Sequence, residues 1–332
     1  MGPDHTGFRQ RDQGAAGPAT PDPTSWEYLS AVHGRSGPAL PHTAWNQCQH
    51  GSWYFLPWHR MYLFYFEQII RAEVVNEGGP DGWALPFWDY SNPAHAALPP
   101  AFRQTTMPDG SANPLFVTER VPAANAGGQL PPSITSADDA LDFTGFIPPP
   151  APGFGGGITM ASHFFTAHGQ LEFTPHNDVH AVINGWMGDP DMAALDPIFW
   201  LHHCNIDRLW AAWLEKGGGR VNPSETQWLD QTFAFHDENG AQESRPVSDF
   251  LDTSQLGYTY EGIPAPTAAE EVPAARGRGT DPAMPDPEMV GASEQPLMLT
   301  GTPVSVDVSI DRRAVEARAR DRAEASAKAL DL

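Results

Sequence analysis

The chain has 332 residues, 40% of them hydrophobic, with 11 tryptophans, enough to bury a substantial core in one large domain or two modest ones. Its 41 acidic against 19 basic side chains give a formal net charge of −22, which argues against nucleic acid and anionic membrane surfaces as partners, since both demand a basic footprint. No apolar run approaches the roughly 20 residues of a bilayer span, so no membrane partner is expected.

The opening MGPDHTGFRQRDQG has no basic flank leading into an apolar stretch, and Cys48 and Cys204 are the only cysteines, too few for a disulfide scaffold. Together these features lead us to expect a cytoplasmic protein. Residues 24–90 read as helices joined by short turns. TSWEYLSAVHG carries a Thr or Ser cap and a terminal Gly, and WHRMYLFYFEQIIRAEVV has apolar residues at helical spacing. Pro57 is expected just before this second helix, which puts His33 at a helix end and His59 in a first helical turn.

Residues 91–160 are rich in Pro, Gly and small side chains, the composition of a long ordered loop or a mobile surface segment of the kind that walls active sites. Helical pattern resumes at PHNDVHAVI and again at DPIFWLHHCNIDRLWAAWLEKGGG, where Asp196 suits an N-cap and Pro197 the first helical position. TFAFHDENGAQ looks like a strand and turn. We divide the chain into a main domain at 1–261, a linker rich in Pro, Ala and Glu at 262–290, and a tail at 291–332 that reads as an incomplete β module followed by a charged helix. The expected fold is mainly α: a four-helix bundle with long loops and a small β-containing C-terminal part.

Two clusters of histidine dominate the chemistry. His176 and His180 are four apart, so one helix face presents both, and His203 stands on the next helix; His33, His50 and His59 form an earlier trio. Each trio supplies three neutral imidazoles to one ion, and copper is the first-row divalent ion that nitrogen donors bind most strongly. Two such centres facing each other would bind dioxygen.

GSWYFLPWHRMYLFYFE resembles the first copper segment of tyrosinases, catechol oxidases and molluscan haemocyanins, and HNDVH followed by DPIFWLHHCNIDRLW resembles the second. The likeness covers roughly residues 25–260, including LPFWDYS, GQLEFTPHNDVH and LGYTYE. The resemblance implies that the bundle holds two copper ions, with His33, His50 and His59 on the first and His176, His180 and His203 on the second. His42 competes with His33, but the spacing of 17 from His33 to His50 suits the family better than 8 from His42. In the His202–His203 pair the family's ligand is the second, and His202 is expected to point elsewhere. Asp207 and Asp89 are candidate acceptors for the ligands' free N–H groups, although helix salt bridges are the plainer role for each.

The resemblance further implies a thioether between Cys48 and the ring of His50, and a water held by Glu172 and Asn177 that takes the proton of a phenol. Ala181 leaves the second copper open, and Pro190, with Met192 close by, stands where some relatives place an aromatic gate. The implied activity is ortho-hydroxylation of monophenols and oxidation of o-diphenols to o-quinones with O2, so the partners are a small phenolic substrate and O2. A catechol oxidase or o-aminophenol oxidase without useful monophenol turnover is the alternative, and an O2 carrier of the haemocyanin type a remoter one.

Overall fold

In the computed structural model, residues 21–36, 44–262, 291–292 and 309–310 are described. His42, most of the linker and most of the tail lie outside them. Contacts divide the chain into two units, Met1–Glu270 and Glu271–Leu332. The described part of the second is one short antiparallel pair, in which Gly291–Ala292 (β3) faces Ser309–Ile310 (β4).

Four helices organise the first unit: α1 (Trp26–His33), α2 (Phe55–Asn76), α3 (Asp178–Ile183) and α4 (Ile198–Glu215). α1 starts because the Ser25 hydroxyl accepts the Tyr28 N–H, and its end is closed by the Gly34 N–H on the Ser30 carbonyl. α2 begins three residues earlier than the proline suggests. Pro57 is its third residue, tolerated because first-turn N–H groups have no intrahelical partner to lose, and His59 consequently sits one turn into the helix.

α4 begins at Ile198, whose N–H is accepted by the Asp196 carboxylate at 3.1 Å, so Asp196 caps it as its chemistry suggests. The same carboxylate takes two bonds from the buried guanidinium of Arg120, at 2.6 and 2.8 Å. The loop region resolves into single-turn pieces, among them Pro122–Asn125, Pro132–Thr135 and Asp138–Asp142. Thr232–His236 (β1) pairs antiparallel with Gln242–Pro246 (β2), the expected strand and turn.

α2 and α4 pack directly on each other. Phe66 and Trp200 stack at 3.4 Å and 7°, and Arg60 joins Asp207 at 2.6 Å while its guanidinium covers the Trp210 ring at 3.7 Å. Trp53, Trp58, Trp200, Trp210, Trp213 and Trp228 are all essentially inaccessible. A buried aromatic of this size removes some 150–250 Å² from water, roughly 4–6 kcal/mol gross for each at 25 cal/mol per Å². Tyr258 and Tyr260 donate to the second Asp207 oxygen, at 2.8 and 2.6 Å, which ties the end of the unit to the α2–α4 core. Asp89 pairs with Arg208 at 3.1 Å. Among the described residues neither aspartate serves a histidine.

Candidate metal centre

α1 delivers His33 from its last residue, α2 delivers His59, and α4 delivers His203. His176 and His180 stand on one helical run, as their spacing suggests, but that run starts only after a kink and continues into α3. Pro175 has no N–H to give, and the residue before a proline is driven out of helical conformation; Thr174 accordingly takes φ −137° and ψ 122°. His176 lies in the first turn past that kink and His180 one turn on in α3, so their rings meet at 4.6 Å.

His50 comes from irregular backbone that a neighbouring segment grips on both sides. The His50 N–H donates to the His163 carbonyl at 3.3 Å, its carbonyl accepts from the Phe165 N–H at 3.0 Å, and the Gly51 carbonyl accepts from the Ala167 N–H at 3.0 Å. Gly51 has φ 59°, and a Cβ there would fall 1.9 Å from the Phe165 carbonyl oxygen, so only glycine permits this approach. Phe164 then lies flat on the His50 ring at 5.3 Å and 15°, with half of its own surface exposed. Nothing in the sequence singled out Phe164 or this clasp, because the recognition is between backbones.

The rings converge. His33 and His50 are 5.3 Å apart, His50 and His59 5.4 Å, and His59 stacks on His203 at 4.4 Å. His180 Nε2 and His203 Nε2 lie 3.3 Å from each other. Three groups of donors fall within 4.8 Å of one another: His176, His180, His202 and His203; His33, His59 and His203; and His33, Cys48 and His50. His203 thus reaches both sides of the centre, and His202, which the resemblance sends elsewhere, joins the second group.

What fits these residues for metal is the state of their second nitrogens. His33 Nδ1 meets the Pro190 carbonyl at 2.9 Å, His59 Nδ1 the Phe55 carbonyl at 2.8 Å, His180 Nδ1 the Met187 carbonyl at 2.6 Å, and His176 Nδ1 the Asn177 Oδ1 at 2.9 Å. An oxygen acceptor fixes the proton on Nδ1 and leaves the Nε2 lone pair free, the arrangement metal-binding imidazoles adopt. The Nε2 atoms of His33, His59 and His176 are buried with no hydrogen-bond partner among the described residues. Burial also keeps the rings neutral: it lowers His59 to about 3 and His180 to about 4, and pushes His33, His50, His176 and His203 well below the usual range. Buried, neutral imidazole lone pairs facing one another suit a soft or borderline cation such as copper.

The remaining expected site residues surround this cluster. The Cys48 sulfur lies 3.3 Å from His50 Nδ1 and 3.1 Å from His163 Nδ1. Glu172 is buried; one carboxyl oxygen accepts from the Gly51 N–H at 2.7 Å and the other has no partner among the described residues. Burial raises its pKa to about 8. Ala181 is exposed beside His180, and Met192 is half-buried. Pro190 is exposed, and its carbonyl holds His33. That contact depends on Gly34, where a Cβ would stand 2.5 Å from the same oxygen.

A helical domain that gathers buried imidazoles in this manner is a metal-binding one, and comparison with known proteins defines it further. The family model for the common central domain of tyrosinase matches residues 23–139 and 135–216, and that for the polyphenol oxidase middle domain matches residues 222–272. A tyrosinase from a Hahella strain is 41% identical over 82% of this chain and 62% of its own length. A polyphenol oxidase of Malus domestica described as chloroplastic is 30% identical over 74% and 44%. The structure of latent apple tyrosinase superposes with TM-score 0.58 at 28% identity, covering 74% of this chain and 57% of that one. Vitis vinifera polyphenol oxidase gives 0.57 at 30%, with coverage of 74% and 78%.

The chain belongs to the tyrosinase and polyphenol oxidase family, whose members are copper-dependent oxidoreductases. It spans between two fifths and two thirds of the length of these curated relatives. The expectation of a cytoplasmic location is corrected by the same comparisons. Several plant relatives are chloroplastic and another is bacterial, so membership of the family carries no compartment. Among the described residues no helix is long and apolar enough to cross a membrane.

Proposed function

We propose that the centre holds two copper ions, the first on His33, His50 and His59 and the second on His176, His180 and His203, and that the enzyme hydroxylates monophenols at the ortho position and oxidises o-diphenols to o-quinones with O2. The observation that carries this reading is the oxygen acceptor on Nδ1 of four of these imidazoles, which turns their Nε2 lone pairs toward a common space. When bound, the copper pair supplies the electron transfer and oxygen chemistry, and the protein supplies position and proton handling.

A monophenol must lose a proton whose unperturbed pKa is near 10, so a base at the site assists it at neutral pH. Glu172 suits that role, because its unpartnered oxygen is free to hold a water and burial brings its pKa to about 8, close to the working range. The Asn177 oxygen is engaged by His176, which leaves its amide N–H groups to orient the same water. His180 is the least enclosed of the six imidazoles and Ala181 beside it is exposed and small, so a phenol ring approaches from the second-copper side. An open approach also distinguishes an enzyme from an O2 carrier, which must shut phenols out.

The test is a substrate panel on copper-loaded protein. Tyrosol and p-cresol, given a trace of diphenol primer, are expected to be hydroxylated and carried on to quinone. Oxidation of catechols without any hydroxylation would instead make the protein a catechol oxidase.

A further inference from the structure

A seventh buried imidazole, His202, stands against the second trio and has no part in the chemistry above. It is completely inaccessible, and neither ring nitrogen has a side-chain hydrogen-bond partner among the described residues. The ring packs against three aromatic rings, with the His176 backbone interacting with it as well. One face stacks on His176 at 5.4 Å and 21°, the His180 ring meets it edge-on at 4.8 Å and 84°, and Tyr90 packs on it at 5.6 Å and 34°.

These contacts matter because of where His176 sits. It stands in the first helical turn after the kink at Thr174, and its Asn177 contact comes from its own neighbour in sequence. Two rigid elements meet it: α2, whose Phe55 ring lies 4.7 Å away, and α4, which carries His202 and His203 as consecutive residues. Successive helical residues point about 100° apart, so one helix presents one imidazole inward and sets the other sideways against the kinked segment.

We propose that His202 is a positioning residue: a wedge from α4, seated between Tyr90 and His176, that fixes the ring planes of His176 and His180 relative to His203. In this role its ring supports the trio and is not one of the three ligands, although its donor atom lies within 4.8 Å of theirs. It couples the geometry of the second trio to α4, an 18-residue helix seated directly on α2. The inference rests on the copper reading above.

The test measures copper binding rather than turnover, in the full chain, by Cu(I) titration against a competing chelator with metal content read by mass spectrometry. The wild type is expected to take two ions. His202→Ala is expected to retain the helical circular dichroism and the first ion while binding the second 10–100-fold more weakly, the usual cost of losing support behind a metal ligand. His202→Phe, which keeps a flat ring in the gap, is expected to recover more than half of that loss on a logarithmic scale. It should also restore the near-ultraviolet absorption that copper-loaded protein develops with hydrogen peroxide.

Unchanged affinity in His202→Ala would overturn the proposal, as would a His202→Phe variant as weak as His202→Ala, since the nitrogens rather than the ring would then be needed. A wild type that takes up no copper would instead remove the copper reading itself. Should His202→Ala fail to fold, the comparison of His202→Phe with wild type decides the matter: near-native affinity supports the wedge, and loss of the second ion overturns it.

Discussion

Replacing Glu172 by Gln tests the electrostatics of the buried carboxyl directly. Gln keeps the shape and the acceptor for the Gly51 N–H but cannot ionise. In the metal-free protein, burial raises the Glu172 pKa from 4.5 to about 8. The folded chain therefore keeps a proton that the unfolded chain has released, and stability attributable to this group falls as pH rises from 4.5 to about 8 and is flat beyond. Between pH 6 and the folded value the loss spans about two pH units, roughly 3 kcal/mol at 1.36 kcal/mol per unit.

The histidines titrate alike in both proteins and cancel in the comparison. Urea unfolding of the two metal-free proteins, followed by tryptophan fluorescence at pH 6 and pH 9, should show Glu172→Gln gaining about 3 kcal/mol on wild type between those pH values. A gain below about 0.5 kcal/mol would mean that solvent reaches the carboxyl, and the argument for a base tuned by burial would fail with it.

The copper-loaded Glu172→Gln enzyme should lose monophenol hydroxylation by roughly 10²–10⁴-fold, the usual worth of a positioned base, while catechol oxidation falls far less. The metal-free wild type should lose stability as pH drops below about 6.5, because burial holds His59 at about 3 and His180 at about 4 and both must charge on unfolding; thermal melts across pH 4–8 check this. Asp207→Asn strands the buried Arg60 charge and should cost about 3–5 kcal/mol in urea unfolding; a loss under about 1 kcal/mol would show that water reaches the pair. If Cys48 is bonded to His50, alkylation of the denatured copper-loaded protein should label Cys204 alone, whereas two labelled cysteines would exclude the cross-link.

The helices and the donors were legible in the chain because both are short-range facts. Apolar periodicity marks α2 and α4, Ser25 and Asp196 announce the helix starts, and the order of His33, His50, His59, His176, His180 and His203 matches a known pattern. Tertiary structure alone decided how each imidazole is held. The acceptors for His33, His59 and His180 are main-chain carbonyls of Pro190, Phe55 and Met187, and a carbonyl is the same group in every residue, so no sequence pattern announces which one is used. For the same reason the aspartates, visible as candidate acceptors, went to Arg60 and Arg208 instead. The Thr174 kink, the backbone clasp on His50 and the place of His202 behind His176 are equally products of packing, because they arise where elements distant in sequence must share one small volume.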